Sequence, residues 1–157
     1  MKKNISAIFA MSLLVFVVAA CSGSFTTANI SELKFSKNEK GEPAATSFNT
    51  GENIYAVTTV ANASGKNKLT FKITYENVPG KGKGEEIGSK TTDVEGSMML
   101  WQQFSSPLPG DYKVEATLND ESGKKIDSKS GTVKITGSAP AASDAKKSDD
   151  NKDEDDN

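Results

Sequence analysis

The sequence has neither histidine nor arginine, and it has a single cysteine among its 157 residues. Without histidine, the chain lacks the side chain most often used as a general base near neutral pH and the commonest imidazole ligand of metals. Ser/His/Asp and Cys/His catalytic triads are therefore excluded. Without arginine, no guanidinium can bind a phosphate or a guanine through two parallel hydrogen bonds. The composition predicts a protein that is not an enzyme, holds no cofactor or metal, and does not bind nucleic acid.

Residues 1–20 have the layout of a secretory signal peptide. A basic start is followed by an apolar stretch over residues 8–20, and Cys21 comes directly after two alanines. The sequence Val18 to Cys21 (VAAC) closely resembles the lipobox of bacterial lipoproteins. This resemblance implies cleavage before Cys21, a diacylglycerol thioether on its sulfur, and acylation of the new amino terminus with a fatty acid such as palmitate. By the same resemblance, Ser22 favours the outer membrane if the cell is Gram-negative.

Two other interpretations of this N-terminal segment stay open. An uncleaved transmembrane anchor would need about 20 apolar residues, and the apolar stretch is shorter than that. A soluble secreted protein would carry Cys21 as a free thiol, which is unusual because thiols outside the cell generally pair. A lipidated Cys21 would hold the mature chain on a membrane surface, since several acyl chains exceed the two signals that stable anchoring needs.

After a short tether over residues 21–29, the sequence consists of β-prone runs separated by turns. The clearest run places Leu69, Phe71 and Ile73 between polar residues, which is the period of two that a half-buried strand requires. The absence of any helical pattern after the leader predicts a single antiparallel β-sandwich of seven strands over residues 30–136. The predicted strands are residues 30–36, 54–61, 69–75, 86–94, 98–104, 112–118 and 125–136.

A second resemblance rests on residues 109–114 (PGDYKV). This sequence is similar to the start of strand F in immunoglobulin-like and fibronectin type III-like domains, where a tyrosine two residues before a core position forms the tyrosine corner. The resemblance implies that Tyr112 is this tyrosine and that Val114 is the core position. Because the chain has no pair of cysteines and its lone Trp101 lies in the fifth run, the resemblance is to a general bacterial immunoglobulin-like sandwich and not to an antibody domain.

Two polar stretches invite a ligand-binding interpretation. Residues 80–84 (GKGKG) lack the Walker spacing and a following helix, so a flexible hairpin is predicted, with Lys81 and Lys83 as candidate interaction residues. Residues 138–157 hold three lysines against seven acids and no large apolar side chain. A disordered acidic tail is therefore predicted over residues 137–157, without the glycine and glutamate spacing of an EF-hand calcium loop.

Together these features predict a membrane-anchored lipoprotein that acts as a non-enzymatic binding or structural module of the cell envelope or surface. Its partners would be the membrane, through Cys21, and a protein, with no small-molecule substrate. The alternative is an inhibitor or accessory subunit that docks on an envelope enzyme or secretion complex. A hydrolase using carboxylates or a Ser/Lys pair would need, in its carboxylate form, two carboxylates about 5–9.5 Å apart in a cleft.

Three regions are candidates for the partner-binding surface. Strict strand alternation places the loops at residues 38–52, 79–85 and 105–111 at the pole away from the tether. The polar run at residues 86–94 is a predicted edge strand that could accept a partner strand, or whose charges could protect it from one. Trp101 would form an apolar interaction surface with the neighbouring methionines only if its side chain points outward.

Overall fold

The computed structural model describes residues 27–139, and all regular elements in this range are β-strands. The leader, Cys21 and nearly all of the acidic tail lie outside the described residues. The predicted all-β architecture is confirmed within this range. The strands are β1 (Asn29–Ser36), β2 (Ser47–Asn49), β3 (Ile54–Ala61), β4 (Lys66–Asn77), β5 (Glu86–Glu95), β6 (Met98–Phe104), β7 (Gly110–Asp120) and β8 (Lys125–Thr136).

Two sheets face each other across one core. One has the strand order β1-β3-β6 and the other the order β2-β8-β7-β4-β5. In β4 and β7, every second side chain points inward, and Phe71 lies opposite Ala116 so that a large and a small residue share one rung. Phe71 is 2% exposed and Ala116 is fully buried. The period of two in these two runs therefore comes from one face packing on the core and the other facing water.

The predicted number of seven strands is wrong because the structure has an eighth, β2. Its three residues pair in parallel with β8, and Phe48 lies opposite Ile135. Phe48 is 2% exposed and is the only buried residue of this strand. A strand with a single inward side chain cannot show an alternating pattern, so its surroundings appear in the sequence as a loop.

The chain enters the domain at one pole of the sandwich, where β1 begins. Asn29 pairs with Ala61 at the end of β3, and Val60 pairs with Met98 at the start of β6. The connections β3–β4, β5–β6 and β7–β8 lie at this entry pole, and the other connections lie at the opposite pole. This is the arrangement that strict strand alternation predicts.

Asp127 of β8 fixes the start of β1. The backbone N–H of Ile30 donates to Asp127 Oδ2 at 2.8 Å, next to a register shift in the β1–β3 ladder. Because Ile30 is 2% exposed, its N–H would otherwise be buried without a partner. We expect Asp127→Ala to lower the free energy of unfolding by about 1–2 kcal/mol in urea denaturation. Asp127→Asn keeps an acceptor oxygen and should lose less, and equal losses would contradict this role.

Candidate functional site

The exposed apolar side chains of the described range concentrate on β6. Met98, Met99 and Trp101 are 39%, 51% and 40% exposed, and Ile87 of β5 is 40% exposed. Single exposed apolar residues are ordinary on protein surfaces, whereas several on one short strand mark an interaction surface. The β6 strand is therefore the strongest candidate for a binding site in this part of the chain.

Pairing with β3 decides which way the β6 side chains point. Trp101 lies opposite Val57, and it shares the outer face of the sheet with Met99, two residues before it. Leu100 and Phe104 alternate with them and pack against the core from the inner face. Trp101 thus points outward, as the apolar interaction surface predicted from the sequence requires. We call the outward side chains Met99 and Trp101 the β6 face.

Trp101 is held by contacts from both sheets. Its ring centroid lies 5.6 Å from that of Tyr55 on β3, and the two planes meet at 62° in an edge-to-face arrangement. The Nζ of Lys90, which belongs to β5 of the other sheet, lies 5.8 Å from the Trp101 ring centroid. These contacts orient the indole while leaving much of it accessible to a partner.

The edge strands β5 and β6 belong to different sheets, and the contact between Lys90 and Trp101 places them on the same side of the sandwich. A shallow groove of about 160 Å³ separates them near the pole opposite the chain entry. The Oε1 of Gln102 is buried and has no hydrogen-bond partner within residues 27–139. The groove is lined by Ile73, Ile87, Gly88, Ser89, Gln102 and Phe104.

The β5 edge, which the sequence suggested for strand addition, carries protective features. Lys90 lies opposite Phe71, whose side chain points into the core, so Lys90 also projects from the inner face of the sheet. An inward-pointing charge on an edge strand opposes pairing, because an added strand would bury it. The β4–β5 ladder also shifts register between Ile73 and Thr74, which bends the strand.

The β6 edge has none of these features. Its seven residues (MMLWQQF) include no charge and no proline, and its ladder with β3 runs from Met98 to Phe104 without a register shift. A regular, uncharged edge strand with exposed apolar side chains is the kind of edge to which another strand readily pairs. Of the two edges on this side of the sandwich, β6 is therefore the more open to strand addition.

Lys81 and Lys83, the candidate loop residues, both contact the end of β4. The N–H of Gly84 donates to the carbonyl of Tyr75 at 2.7 Å and helps to close the hairpin. The Nζ of Lys81 lies 5.6 Å from the Tyr75 ring centroid, and Lys83 forms an ion pair with Glu76. The two ammonium groups thus engage different side chains and do not converge on one anion site.

Tyr112 is fully buried near the start of β7. Its hydroxyl donates to the carbonyl oxygen of Leu108 at 2.8 Å and lies 2.6 Å from Ser106 Oγ. Burial raises the pKa of the Tyr112 hydroxyl, which keeps it protonated as a donor. These bonds tie the β6–β7 connection to β7, so the residue has a structural part in the domain.

Three carboxylates have a lowered pKa, and each lies in a different part of the domain. A hydrogen bond from Lys37 lowers the pKa of Glu52, one from Ser89 lowers that of Glu86, and one from Ser122 lowers that of Asp120. A general acid needs the opposite shift, toward neutral pH. Within the described range, no three His, Cys, Asp or Glu side chains cluster to hold a metal, and no helix is long and apolar enough to cross a membrane.

Neither a protein-family model nor a curated protein matches this sequence. Among solved structures, the alkylpurine DNA glycosylase AlkC of Pseudomonas fluorescens aligns over 70% of this chain and 30% of its own, with 14% identity and a TM-score of 0.46. A β-glucosidase from Listeria innocua in complex with isofagomine aligns over 68% and 16%, with 18% identity and a TM-score of 0.46. A β-glucosidase from Kluyveromyces marxianus aligns over 71% and 16%, with 13% identity and a TM-score of 0.39. At these TM-scores the similarities carry no inference about this chain.

Proposed function

We propose that this chain is a membrane-anchored lipoprotein whose β-sandwich is a non-enzymatic binding module of the cell envelope or surface. The observation that carries the proposal is the β6 strand, an uncharged edge whose Met99 and Trp101 face outward. Binding sites on rigid scaffolds commonly combine an exposed aromatic anchor with a polar surround. Trp101 has this setting, with the Tyr55 ring on one side and the Lys90 ammonium near its face.

The sandwich is, in this proposal, of the immunoglobulin-like kind. Two packed sheets with antiparallel neighbours and the bond from the Tyr112 hydroxyl to a carbonyl four residues upstream both support it. The short parallel strand β2 is an addition at one edge, and it leaves the pairing of the other strands unchanged.

The lipid on Cys21 would set the orientation of the module. The chain between Cys21 and Asn29 reaches at most roughly 30 Å when fully extended. The entry pole, where β1 and β6 both begin, would then face the membrane, and β6 would run away from the bilayer. A partner on the same membrane or in the surrounding compartment could reach the β6 face from the side.

Intact mass of the membrane-extracted protein tests the anchor. We expect a mass that corresponds to cleavage before Cys21 plus acyl chains, and complete loss of the lipidated species in Cys21→Ala. The Cys21→Ala protein should also leave the membrane fraction, unless the uncleaved leader retains it. An unacylated mass for the unchanged protein would overturn the lipoprotein part of the proposal.

Site-specific photo-crosslinking in cells tests the binding surface. A crosslinking amino acid at position 101 should give a discrete adduct with an envelope or surface protein. The matched control is position 130, because Ser130 is exposed on the outer face of the five-stranded sheet, away from β6. Adducts of equal yield from both positions would refute the assignment of binding to the β6 face.

One observation favours the second candidate function, an inhibitor or accessory subunit that docks through the pole opposite the chain entry. The hairpin at residues 78–85 is closed by backbone hydrogen bonds, so it could present Lys81 in a defined geometry. A specific adduct from position 81 and none from position 101 would favour this function over binding at β6.

A further inference from the structure

We infer that β6 binds an extended segment of another protein as a fourth strand of the three-stranded sheet. The segment would carry a carboxylate on the side that faces Lys90 and apolar side chains on the side that continues the β6 face. This inference rests on the proposed binding function and names the chemical class of its partner. The segment would pair with β6 and not with the polar edge strand β5.

The backbone of β6 supports strand addition. Within residues 27–139, β6 is hydrogen-bonded to β3 and to no other strand, so the main-chain groups of its second edge have no strand partner. An added strand satisfies these groups directly, and the pockets for alternate side chains then set specificity. The outward side chains of the added strand would lie beside Met99 and Trp101. Apolar side chains at these positions would bury apolar surface, which favours binding.

The charge of Lys90 selects the inward side chain of the partner. Gly88, Lys90 and Thr92 point to the inner face of β5, opposite Ile73, Phe71 and Leu69. An added strand beside β6 would pass in front of these residues, since the Lys90 ammonium already reaches the Trp101 ring. Among residues 27–139, no carboxylate lies within ion-pair distance of Lys90, so an incoming carboxylate could pair with it.

The space in front of β5 also fits an added strand. A side-chain carbon placed on Gly88 would meet no atom within 4 Å, so the inner face is open at this position. Burying Lys90 against an apolar strand would be costly, whereas burying it against a carboxylate offsets much of that cost. The same lysine thus rejects apolar strands and favours an acidic one, as expected of a specific site.

Two other occupants fit these features less well. Residues 140–157 supply acids but no large apolar side chain for the β6 face. A second copy supplies no acid from its own β6, and it would bring a second Lys90 to the same place. Two identical edges related by a twofold axis pair in antiparallel fashion, which would put the two entry poles at opposite ends. In the proposed lipoprotein both entry poles would face the membrane, so this pairing does not fit.

Two matched peptides test the inference with the full-length mature protein in detergent. The probe is the capped nonapeptide TVTVEVTVT, whose glutamate and threonines share one face and whose valines share the other. The control peptide has lysine in place of the glutamate. We expect the acidic peptide to bind at least tenfold more tightly than the control peptide. Binding is measured by the fluorescence emission of Trp101, which is the only tryptophan in the chain. Lys90→Glu should reverse the preference.

Hydrogen exchange locates the added strand. The acidic peptide should slow exchange of β6 amides and leave β5 amides unchanged. Gln102→Glu places an inward carboxylate on β6 that repels the glutamate of the acidic peptide and should abolish its binding, whereas Gln103→Glu places the carboxylate on the outer face and should not. If Gln102→Glu fails to fold, the reversal by Lys90→Glu still decides.

Equal binding of the two peptides, protection of β5 amides in place of β6, or self-association through β6 would each overturn the inference. The proposed binding function fails separately, through the absence of a specific adduct at position 101. A specific adduct at position 101 together with equal binding of the two peptides would retain the binding function and refute strand addition.

Discussion

Gly110→Ala is expected to lower the free energy of unfolding by about 3–5 kcal/mol. Gly110 begins β7 with a φ of +144°, a backbone conformation that residues with a side chain rarely adopt. A Cβ there would lie 2.6 Å from the carbonyl oxygen of Asn77 and 2.9 Å from the Cα of Val78. Since both contacts are to backbone, neither can be relieved by a rotamer change, and the ends of β4 and β7 would have to separate.

Gly80→Ala is the matched control for this prediction. Gly80 lies in the hairpin that follows β4 with a φ of +75°, and a Cβ there would meet nothing within 4 Å. Only the backbone strain applies, so a loss of about 1–2 kcal/mol is expected. Urea denaturation followed by circular dichroism measures both variants. Equal losses would show that the φ angle alone, and not the close approach of β4, sets the cost at Gly110.

The sequence predicts the central strands well because each has one buried face. In β4 and β7 the apolar and polar residues alternate, and the alternation identifies both the strand and its inward side chains, such as Phe71 and Val114. Tyr112 is recognisable for another reason, since the turn-forming residues before it belong to a local motif. What a chain encodes locally, in periodicity or in turns, can be found without the structure.

The candidate site could be predicted only in part, because its geometry depends on contacts between distant strands. The β6 sequence is apolar on both faces, so no pattern tells whether Trp101 or Leu100 faces the core. The β3 register decides this, and it is not visible in either strand alone. The β5 sequence also lacks an alternating pattern, because polar residues lie on both of its faces. Only its register with β4, where Lys90 lies opposite Phe71, shows that Lys90 points inward.

The contact between Lys90 and Trp101 has no signal in the sequence at all. The two residues belong to different sheets, and each lies on a strand at the edge of its sheet. Edge strands on the same side of a sandwich come together only after both sheets have formed. The most informative feature of the site, a lysine beside an exposed tryptophan on an uncharged edge, is thus a property of the assembled sandwich.

Tyr112→Phe is expected to lower the free energy of unfolding by about 1–3 kcal/mol near neutral pH. The hydroxyl of Tyr112 donates to the carbonyl of Leu108 and accepts from the hydroxyl of Ser106, which is only 7% exposed. Removing the Tyr112 hydroxyl leaves the Leu108 carbonyl without that donor and the Ser106 hydroxyl without that acceptor, in a buried site. Tyr55→Phe is the matched control, because Tyr55 is partly exposed, and its loss should stay within about 0.5 kcal/mol.

The advantage of Tyr112 over phenylalanine should also depend on pH in one direction. Burial raises the pKa of the hydroxyl in the folded state, while in the unfolded chain it ionises near its ordinary value of about 10. The folded state therefore holds its proton more tightly, so this stabilisation is complete below about pH 10 and is lost as the pH rises toward the folded-state pKa. Urea denaturation of both proteins between pH 7 and pH 11 should show the difference shrinking above about pH 10. A difference that stays constant over this range would mean that the Tyr112 hydroxyl ionises as easily in the folded protein as in the unfolded chain.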